Sequence, residues 1–277
     1  MLVTNQQFKL IITDHDGTLV NDERKLLPQT RETLERLHAQ GYLFGLASGR
    51  TVADAKTFPS KWGLSFDFDV IIGLGGGEIW DGVHQQLRKG KQLRPSVVKE
   101  IVELLAPFDL SISIIYPDGR HLVSKMDQAT KESMLRNPND RYELIEDLSQ
   151  LWQEDAPKLL CRIDEERMPQ LEAYVKAHPS AHYWGFKTRP DIYEFMDPEN
   201  TKSNGLRKIC RLLDISLEEV MAFGDTTNDN DLLACCYGVC MANGSEDTKA
   251  FSKDVTRYTN NENGVGDYIE RHLLQGK

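Results

Sequence analysis

Short runs of consecutive apolar residues alternate with amphipathic segments in the first part of the chain. The apolar runs lie at residues 8–13, 42–47 and 68–72. They lack a polar–apolar alternation, which is typical of strands buried on both faces of a parallel sheet. A helix is predicted between the first two runs, beginning at Pro28 and ending before Gly41, and a shorter helix begins near Thr51. This order of strands and helices indicates parallel strands joined by right-handed crossovers.

The same alternation returns near the C-terminus, whereas the middle of the chain has a different pattern. The C-terminal elements are a predicted helix at 203–213, strand at 220–223, helix at 228–236 and strand at 238–241. In the middle, residues 110–116 and 121–124 flank the turn residues Pro117-Asp118-Gly119, which predicts a β-hairpin. Two helical stretches and a strand-like segment at 158–163 accompany the hairpin. The middle of the chain is therefore expected to form an inserted α+β domain.

The predicted core is an α/β fold made of residues 1–82 and 190–277, and the inserted domain covers residues 83–189. The core is expected to be a Rossmann-like parallel sheet with helices on both faces. Open sheets of this kind bind ligands at the carboxyl ends of their strands. Polar residues that follow the core strands are therefore the candidates for function.

Polar residues follow three of the predicted core strands. They are Asp14 and Asp16 after the first strand, Ser48 after the second, and Asp225 and Asp229 after the strand near residue 220. Because the carboxyl ends of parallel strands share one edge of the sheet, these side chains are expected to lie close together. Asp14 and Asp16 are two residues apart and point to the same side, and Gly17 allows the chain to turn away. The backbone N–H groups of Gly17 and Thr18 can hold a phosphate.

A metal ion is the expected companion of these carboxylates. Asp14 and Asp225 would repel each other unless a cation lay between them. Oxygen ligands with few protein donors suit Mg²⁺, which retains waters and bridges to a substrate phosphate. Zinc is disfavoured because neither histidine nor cysteine accompanies the carboxylates. Lys202 opens a helix where the chain re-enters the core, and its ammonium would neutralise a phosphate oxygen.

Each of these residues also has a purely structural alternative. The segment Asp14-His-Asp-Gly-Thr18 could be an ordinary Asx-type turn. Asp229 and Ser48 could cap helices, and Lys202 could be a solvated surface residue. The grouping of the polar residues at one sheet edge favours the functional interpretation. His15 is expected to point away from both neighbouring aspartates and to be structural, the alternative being an added acid or phosphate ligand.

Four segments together resemble the haloacid dehalogenase superfamily, specifically its Cof-type (subfamily IIB) phosphatases. They are Asp14-His-Asp-Gly-Thr-Leu19, Ala47-Ser-Gly-Arg50, Asn200-Thr-Lys-Ser-Asn-Gly-Leu206 and Gly224-Asp-Thr-Thr-Asn-Asp229. The later stretches Gly238-Val-Cys-Met-Ala-Asn-Gly244 and Asn263-Gly-Val-Gly266 agree with it. The order and spacing of these segments match the family along the whole chain, whereas the sequence of the insertion itself matches only loosely. The resemblance implies that the insertion is a cap domain that closes over the core and selects the leaving group.

The resemblance implies a phosphatase that acts through an aspartyl-phosphate. Asp14 would attack phosphorus, and Asp16 would protonate the leaving oxygen and then activate water. Mg²⁺ would be held by Asp14, Asp225 and the backbone carbonyl of Asp16. The phosphate-binding residues would be Thr18, Ser48, Lys202 and Asn228, and Asp229 would orient Lys202 or a metal-bound water.

One position distinguishes between branches of that superfamily, and one stretch departs from its usual pattern. Dehalogenases and transport ATPases lack an acid at the position of Asp16, whereas phosphatases and phosphomutases carry one. Gly75-Gly76-Gly77 stands where family members often have Asn-Gly-Ala, and it could loosen the hinge into the insertion. We therefore expect hydrolysis of small phosphate monoesters. The alternatives are a phosphomutase or phosphotransferase on sugar phosphates and, from another class, an inactive binding or regulatory protein.

The composition of the chain limits the kinds of molecule that it is expected to bind. Of 277 residues, 33 are Lys or Arg and 43 are Asp or Glu, and the net charge of −10 disfavours nucleic acids and anionic membranes as partners. Five cysteines without a CxxC pair, no signal-like N-terminus and no long apolar stretch indicate a cytoplasmic protein. The expected ligand is a small phosphorylated metabolite, such as a sugar phosphate or a phosphorylated cofactor. The chain is expected to be a monomer or a homodimer.

Overall fold

The computed structural model describes residues 8–136 and 140–274. In chain order the strands are β1 (Leu10–Thr13), β2 (Leu43–Ala47), β3 (Val70–Gly73), β4 (Glu78–Asp81), β5 (Gln86–Lys89), β6 (Ser111–Ile115), β7 (Arg120–Val123), β8 (Arg141–Leu144), β9 (Leu159–Arg162), β10 (Trp184–Arg189), β11 (Ile192–Met196), β12 (Val220–Gly224), β13 (Tyr237–Cys240) and β14 (Asp254–Val255). The α-helices are α1 (Pro28–Ala39), α2 (Val52–Ala55), α3 (Phe58–Trp62), α4 (Pro95–Leu105), α5 (Gln128–Arg136), α6 (Met168–Ala177), α7 (Lys202–Leu213), α8 (Asn230–Cys235), α9 (Glu246–Phe251) and α10 (Gly264–Ile269). Among the helices of the described residues, none is long and apolar enough to span a bilayer.

The chain divides into two compact units, one up to Gly90 and from Thr201 onward, the other Lys91–Asn200. In the described part of the first unit, the strands form one sheet in the order β14-β13-β12-β1-β2-β3-β4-β5. The pairs from β14 to β3 are parallel, and β4 and β5 extend the sheet as an antiparallel hairpin. The predicted core strands are therefore all present, and β1 lies between β2 and β12.

Successive residues of β1 enter two separate apolar cores, one on each face of the sheet. Ile11 packs in a core with Leu34 and Leu37 of α1. Leu10 and Ile12 pack in the other core, to which α7 and α8 also contribute. Every residue of β1 is buried, which explains why the run shows no polar–apolar alternation. The predicted α/β fold with helices on both faces of the sheet is confirmed.

The second unit contains its own sheet, with strand order β10-β11-β9-β6-β7-β8 among the described residues. The strands β6 and β7 pair antiparallel around the turn at Gly119, which has a φ of 80°. This confirms the predicted hairpin. Apolar residues of β6 and β9 share one core with the helices α4 and α6. An α+β unit is therefore inserted between β5 and α7.

The unit boundaries lie later in the chain than predicted. We expected the insertion at residues 83–189, and the compact unit is Lys91–Asn200. At the first boundary, β5 pairs with β4 of the core sheet, but its residues are all exposed and its polar sequence carries no core pattern. At the second, β11 is a fully buried run that resembles a core strand, yet it pairs with β9 and β10. Burial pattern alone does not tell which sheet a strand joins.

Candidate active site

A buried ion-pair network forms at the carboxyl ends of β1 and β12. The ammonium of Lys202 lies 2.5 Å from Oδ1 of Asp14 and 2.5 Å from Oδ1 of Asp229. Lys202 is only 3% exposed, and Asp229 is fully buried. Burial lowers the pKa of Lys202, but the charges of Asp14 and Asp229 outweigh it and raise that pKa above its usual value. Lys202 is therefore a charged group inside the core and not a solvated surface lysine.

Asp229 is held by contacts to both of its oxygens. Oδ1 accepts from Lys202, and Oδ2 accepts the backbone N–H groups of Asp225 and Thr226 at 3.1 and 3.2 Å. The bond from the Thr226 N–H also forms part of a capping box of the short 3₁₀ turn Thr227–Asp229, so Asp229 has a capping role here as well. With both oxygens occupied, Asp229 is suited to orient Lys202.

Asp225 is linked to the turn after β1. The Thr18 hydroxyl donates to Oδ1 of Asp225 at 2.6 Å, and both residues are buried. Gly17 has a φ of 79°, and a Cβ there would lie 2.5 Å from Oδ2 of Asp225. Glycine is therefore required for the close approach of this turn to the carboxylate. Because the hydroxyl of Thr18 is occupied, a phosphate contact from Thr18 would have to come from its backbone N–H.

Three carboxylates lie close enough to hold a metal ion. Asp14, Asp225 and Asp229 each offer an oxygen within 4.8 Å of the others. Burial, together with the neighbouring carboxylates, raises the pKa of Asp14 well above its usual value. Burial and the charge of Asp229 raise the pKa of Asp225 to about 7. One ammonium does not compensate three buried carboxylates, so the site is suited to a divalent cation.

The oxygens available to such a cation belong to Asp14 and Asp225. In the described part of the chain, Lys202 and Thr18 occupy one oxygen of each, and the second oxygen of each accepts no hydrogen bond. Both oxygens of Asp229 are occupied, as described above. The donor set is all oxygen, which fits a hard cation.

Asp16 lies beside this network but has different partners. Arg50 Nη2 is 3.1 and 3.3 Å from the two carboxylate oxygens of Asp16, and Arg24 Nε is 3.8 Å from Oδ1. His15 Nδ1 is 3.1 Å from Oδ2. Partial desolvation raises the pKa of Asp16, but the contacts with His15, Arg50 and Arg24 outweigh it and lower that pKa. The side chain of Asp16 is 54% exposed, so it is accessible to a ligand.

Ser48 is fixed by backbone contacts at the carboxyl ends of β2 and β3. Its N–H donates to the Ile72 carbonyl at 2.8 Å, and its carbonyl accepts from the Gly75 N–H at 2.9 Å. Its hydroxyl accepts the Arg50 N–H at 3.3 Å. The helix α2 is capped by Thr51, so Ser48 does not have the capping role considered from sequence. The structure therefore places Ser48 at the predicted edge of the sheet, beside Arg50.

Several contacts at this edge were not among the predicted site residues. Arg50 belongs to the segment that carries the family resemblance, so its motif was a usable signal. Asn243 donates from Nδ2 to the Gly17 carbonyl at 2.8 Å and fixes the turn after β1. Arg24 carries no sequence signal that we identify. Asn228, a predicted phosphate ligand, lies on the 3₁₀ turn and accepts from the Thr226 hydroxyl at 2.6 Å.

The three consecutive glycines after β3 are held within the core unit. Gly75 donates to Ser48, and Gly77 donates to the Leu74 carbonyl at 3.1 Å. Gly76 has a φ of 113°, and a Cβ there would lie 2.3 Å from the carbonyl oxygen of Thr201. Gly76 therefore packs directly on the residue that precedes Lys202.

We expect Gly76→Ala to lower both stability and activity. The unfavourable φ costs about 1–3 kcal/mol, and the collision with Thr201 adds to it and displaces Lys202. Gly41→Ala is the matched control, because Gly41 has a φ of 86° but nothing within 4 Å of the added Cβ. Urea unfolding should show a larger loss of free energy of unfolding for Gly76→Ala than for Gly41→Ala. Equal losses would mean that the collision with Thr201 is relieved without cost.

Comparisons of the chain with known proteins agree on one family. A model of the haloacid dehalogenase-like hydrolases matches residues 11–269. The 5-amino-6-(5-phospho-D-ribitylamino)uracil phosphatase YwtE of Bacillus subtilis is 27% identical, over 97% of this chain and 99% of that protein. The HMP-PP phosphatase of Serratia proteamaculans is 26% identical, over 88% of this chain and 87% of that protein. A haloacid dehalogenase-like hydrolase from Bacteroides thetaiotaomicron has 26% identity and a TM-score of 0.77, with 95% of this chain and 99% of that chain covered.

The fold and the site define an α/β protein with a buried aspartate–lysine centre at the carboxyl ends of the parallel strands of its core sheet. Because the family model spans most of its length, the chain belongs to the haloacid dehalogenase-like hydrolases. The predicted superfamily, fold class and hydrolase class are confirmed. Both relatives described above are named as phosphatases, which is the class predicted from the sequence.

Proposed function

We propose that this protein is a Mg²⁺-dependent phosphatase that hydrolyses small phosphate monoesters through an aspartyl-phosphate on Asp14. The main support is the position of Lys202, which is buried and lies 2.5 Å from both Asp14 and Asp229. An ammonium at this position favours the ionised form of Asp14, which is the form that attacks phosphorus. It also offers positive charge to a phosphoryl group bound at Asp14.

In the first step an oxygen of Asp14 forms a bond to phosphorus while the ester P–O bond breaks. Asp16 donates a proton to the leaving oxygen. The free site favours the carboxylate of Asp16, because Arg50 and His15 lower its pKa. A bound phosphate dianion acts in the opposite direction, because a nearby negative charge favours proton uptake by a carboxylate. It also competes with Asp16 for Arg50.

In the second step the carboxylate of Asp16 takes a proton from a water molecule, whose oxygen attacks phosphorus. The bond between Asp14 and phosphorus breaks, which releases phosphate and restores the carboxylate of Asp14 and the acid form of Asp16. Ser48, Lys202, Asn228 and the N–H of Thr18 are the proposed phosphate ligands.

The proposed metal ligands are Asp14, Asp225 and the backbone carbonyl of Asp16, with Asp229 orienting Lys202. When bound there, Mg²⁺ would supply charge neutralisation for the phosphoryl oxygens. The all-oxygen donor set and the raised pKa values of Asp14 and Asp225 support this assignment.

The expected substrates are sugar phosphates or phosphorylated cofactors. Two relatives are named for small phosphorylated compounds, 5-amino-6-(5-phospho-D-ribitylamino)uracil and HMP-PP. Because the relatives are named as phosphatases, we favour an enzyme that transfers the phosphoryl group to water. A phosphomutase or phosphotransferase and an inactive protein remain the alternatives. The role predicted for the inserted unit, selection of the leaving group, is part of this proposal.

A panel of phosphorylated metabolites, assayed for released phosphate with and without Mg²⁺, tests the proposal. We expect Mg²⁺-dependent phosphate release from at least one monoester. Isomerised sugar phosphate without free phosphate would favour a mutase, and no turnover of any member would contradict an active phosphatase.

We expect Asp225→Asn to weaken Mg²⁺ binding strongly. The amide keeps an oxygen for the Thr18 hydroxyl but removes the charge that faces the cation. Outer contacts of metal sites alone change affinity by about 10–100-fold, so a direct ligand should cost at least that much. Isothermal titration with Mg²⁺ measures the effect, and Asp155→Asn, at an exposed position of the inserted unit, is the control. An unchanged titration would exclude Asp225 as a ligand.

A further inference from the structure

The side chain of His15 lies in an aromatic slot next to the proposed active site. Its ring centroid is 4.7 Å from that of Phe58 and 5.6 Å from that of Trp62, with interplanar angles of 30° and 18°. Only 3% of His15 is exposed. Phe58 and Trp62 belong to the short helix α3, so the slot is part of the folded core unit. The expectation that His15 packs as a structural residue is therefore met, but packing accounts only for the ring.

The polar edge of the same ring faces Asp16. Nδ1 of His15 is 3.1 Å from Oδ2 of Asp16. This buried nitrogen makes no hydrogen bond of full geometry with any group in the described residues, and a buried N–H without a partner is costly. The Asp16 carboxylate is the acceptor within reach. The prediction that His15 points away from both aspartates is therefore wrong for Asp16, because β1 ends at Thr13 and the strand alternation on which it rested does not extend to residues 15 and 16.

Both the backbone and the ring of His15 are fixed. Its carbonyl accepts the N–H groups of Leu19 and Val20 at 3.1 and 3.2 Å. Asp16 itself has 54% of its side chain exposed, so its polar contacts are the main restraint on its rotation. Arg50 supplies the opposing contact, and its guanidinium lies 5.5 Å from the centroid of the same Phe58 ring. Phe58 thus supports both groups that hold the carboxylate.

We propose that His15 is a positioning residue for Asp16: the N–H at Nδ1 donates to Oδ2 and holds the carboxyl group in the rotamer required for proton transfer. This inference rests on the proposed acid–base role of Asp16. Arg50 is the contact that a substrate phosphate can displace, whereas His15 is held in its slot and stays in place. The orientation of the acid affects the rate of ester cleavage most when the leaving oxygen is a strong base, because such an oxygen must receive a proton as it leaves.

The test compares two substitutions of similar size, His15→Asn and His15→Leu. The Asn amide nitrogen takes the place of Nδ1 and can donate to Asp16, whereas Leu fills the slot without a donor. The readout is kcat/KM, which covers phosphorylation of Asp14, for an alkyl phosphate and for p-nitrophenyl phosphate. The alkoxide needs a proton on leaving and the nitrophenolate does not.

We expect His15→Leu to lower kcat/KM for the alkyl phosphate by about 10–100-fold, within the range of acid–base contributions. For p-nitrophenyl phosphate the change should stay within about threefold, and His15→Asn should restore most of the loss on the alkyl ester. Equal losses on both esters, or no restoration by Asn, would show that His15 only packs.

A measurement on the wild-type protein keeps the inference testable if either variant fails to fold. Nitrogen-15 NMR of the imidazole should show a proton on Nδ1 of His15, and a ring protonated only at Nε2 would overturn the proposed contact. Failure of the proposed function gives a different result. In that case the wild-type protein hydrolyses neither ester, while the NMR spectrum still reports whether His15 donates to Asp16.

Discussion

Asp14→Asn should abolish phosphate monoester hydrolysis while leaving the protein folded. The amide oxygen lacks the negative charge needed to attack phosphorus, and the loss of a nucleophile typically costs a factor of about 10⁴ or more in kcat. Lys202 keeps its ion pair with Asp229, so the core retains a partner for the ammonium. The buried carboxylate of Asp14 is disfavoured by burial and by its acidic neighbours. We therefore expect the free energy of unfolding without metal to stay the same or to rise.

The combination of lost activity and retained stability distinguishes a nucleophile from a structural residue. Hydrolysis of p-nitrophenyl phosphate with Mg²⁺ and urea unfolding measure the two effects. Mass spectrometry after acid quenching should find a phosphorylated Asp14 in the wild-type protein and none in the variant. Asp155→Asn, at an exposed position of the inserted unit, should behave as the wild-type protein. Turnover retained by Asp14→Asn would require another nucleophile.

Lys202→Met should lose activity and stability together. It leaves Asp14 and Asp229 buried without their cation, and breaking a buried pair from one side typically costs about 3–5 kcal/mol. Because a positive charge next to the metal site is removed, Mg²⁺ should bind more tightly than to the wild-type protein. Added Mg²⁺ should therefore restore part of the free energy of unfolding, although the activity stays low.

Two further variants help to explain the effect of Lys202→Met. Lys208→Met changes a partly exposed lysine on the same helix and should have little effect. The double variant Lys202→Met/Asp229→Asn removes both partners of one ion pair and should recover stability without recovering activity. If Lys202→Met unfolded at the same urea concentration as the wild-type protein, the ammonium would not be the charge that compensates the buried aspartates.

The local pattern of the chain was sufficient for the core and for the members of the site. Apolar runs without alternation can be buried on both faces, so the strands that precede Asp14 and Ser48 were predictable from residue type alone. The carboxyl ends of parallel strands meet at one edge, and this rule placed Asp225 beside Asp14 although more than two hundred residues separate them in the sequence. The boundaries between the two units were harder to predict from the sequence, because β5 is polar and β11 resembles a core strand.

The tertiary structure decided which partner each polar group has. Sequence order determined that Asp14, Lys202 and Asp229 would gather at one edge, but only packing places one ammonium 2.5 Å from both carboxylates. His15 shows the limit most clearly. Alternation predicts the direction of a side chain only within the strand, and β1 ends at Thr13. The aromatic slot formed by Phe58 and Trp62 decides where Nδ1 of His15 lies. Such contacts depend on side-chain rotamers and on distant segments, and neither is encoded in local sequence patterns.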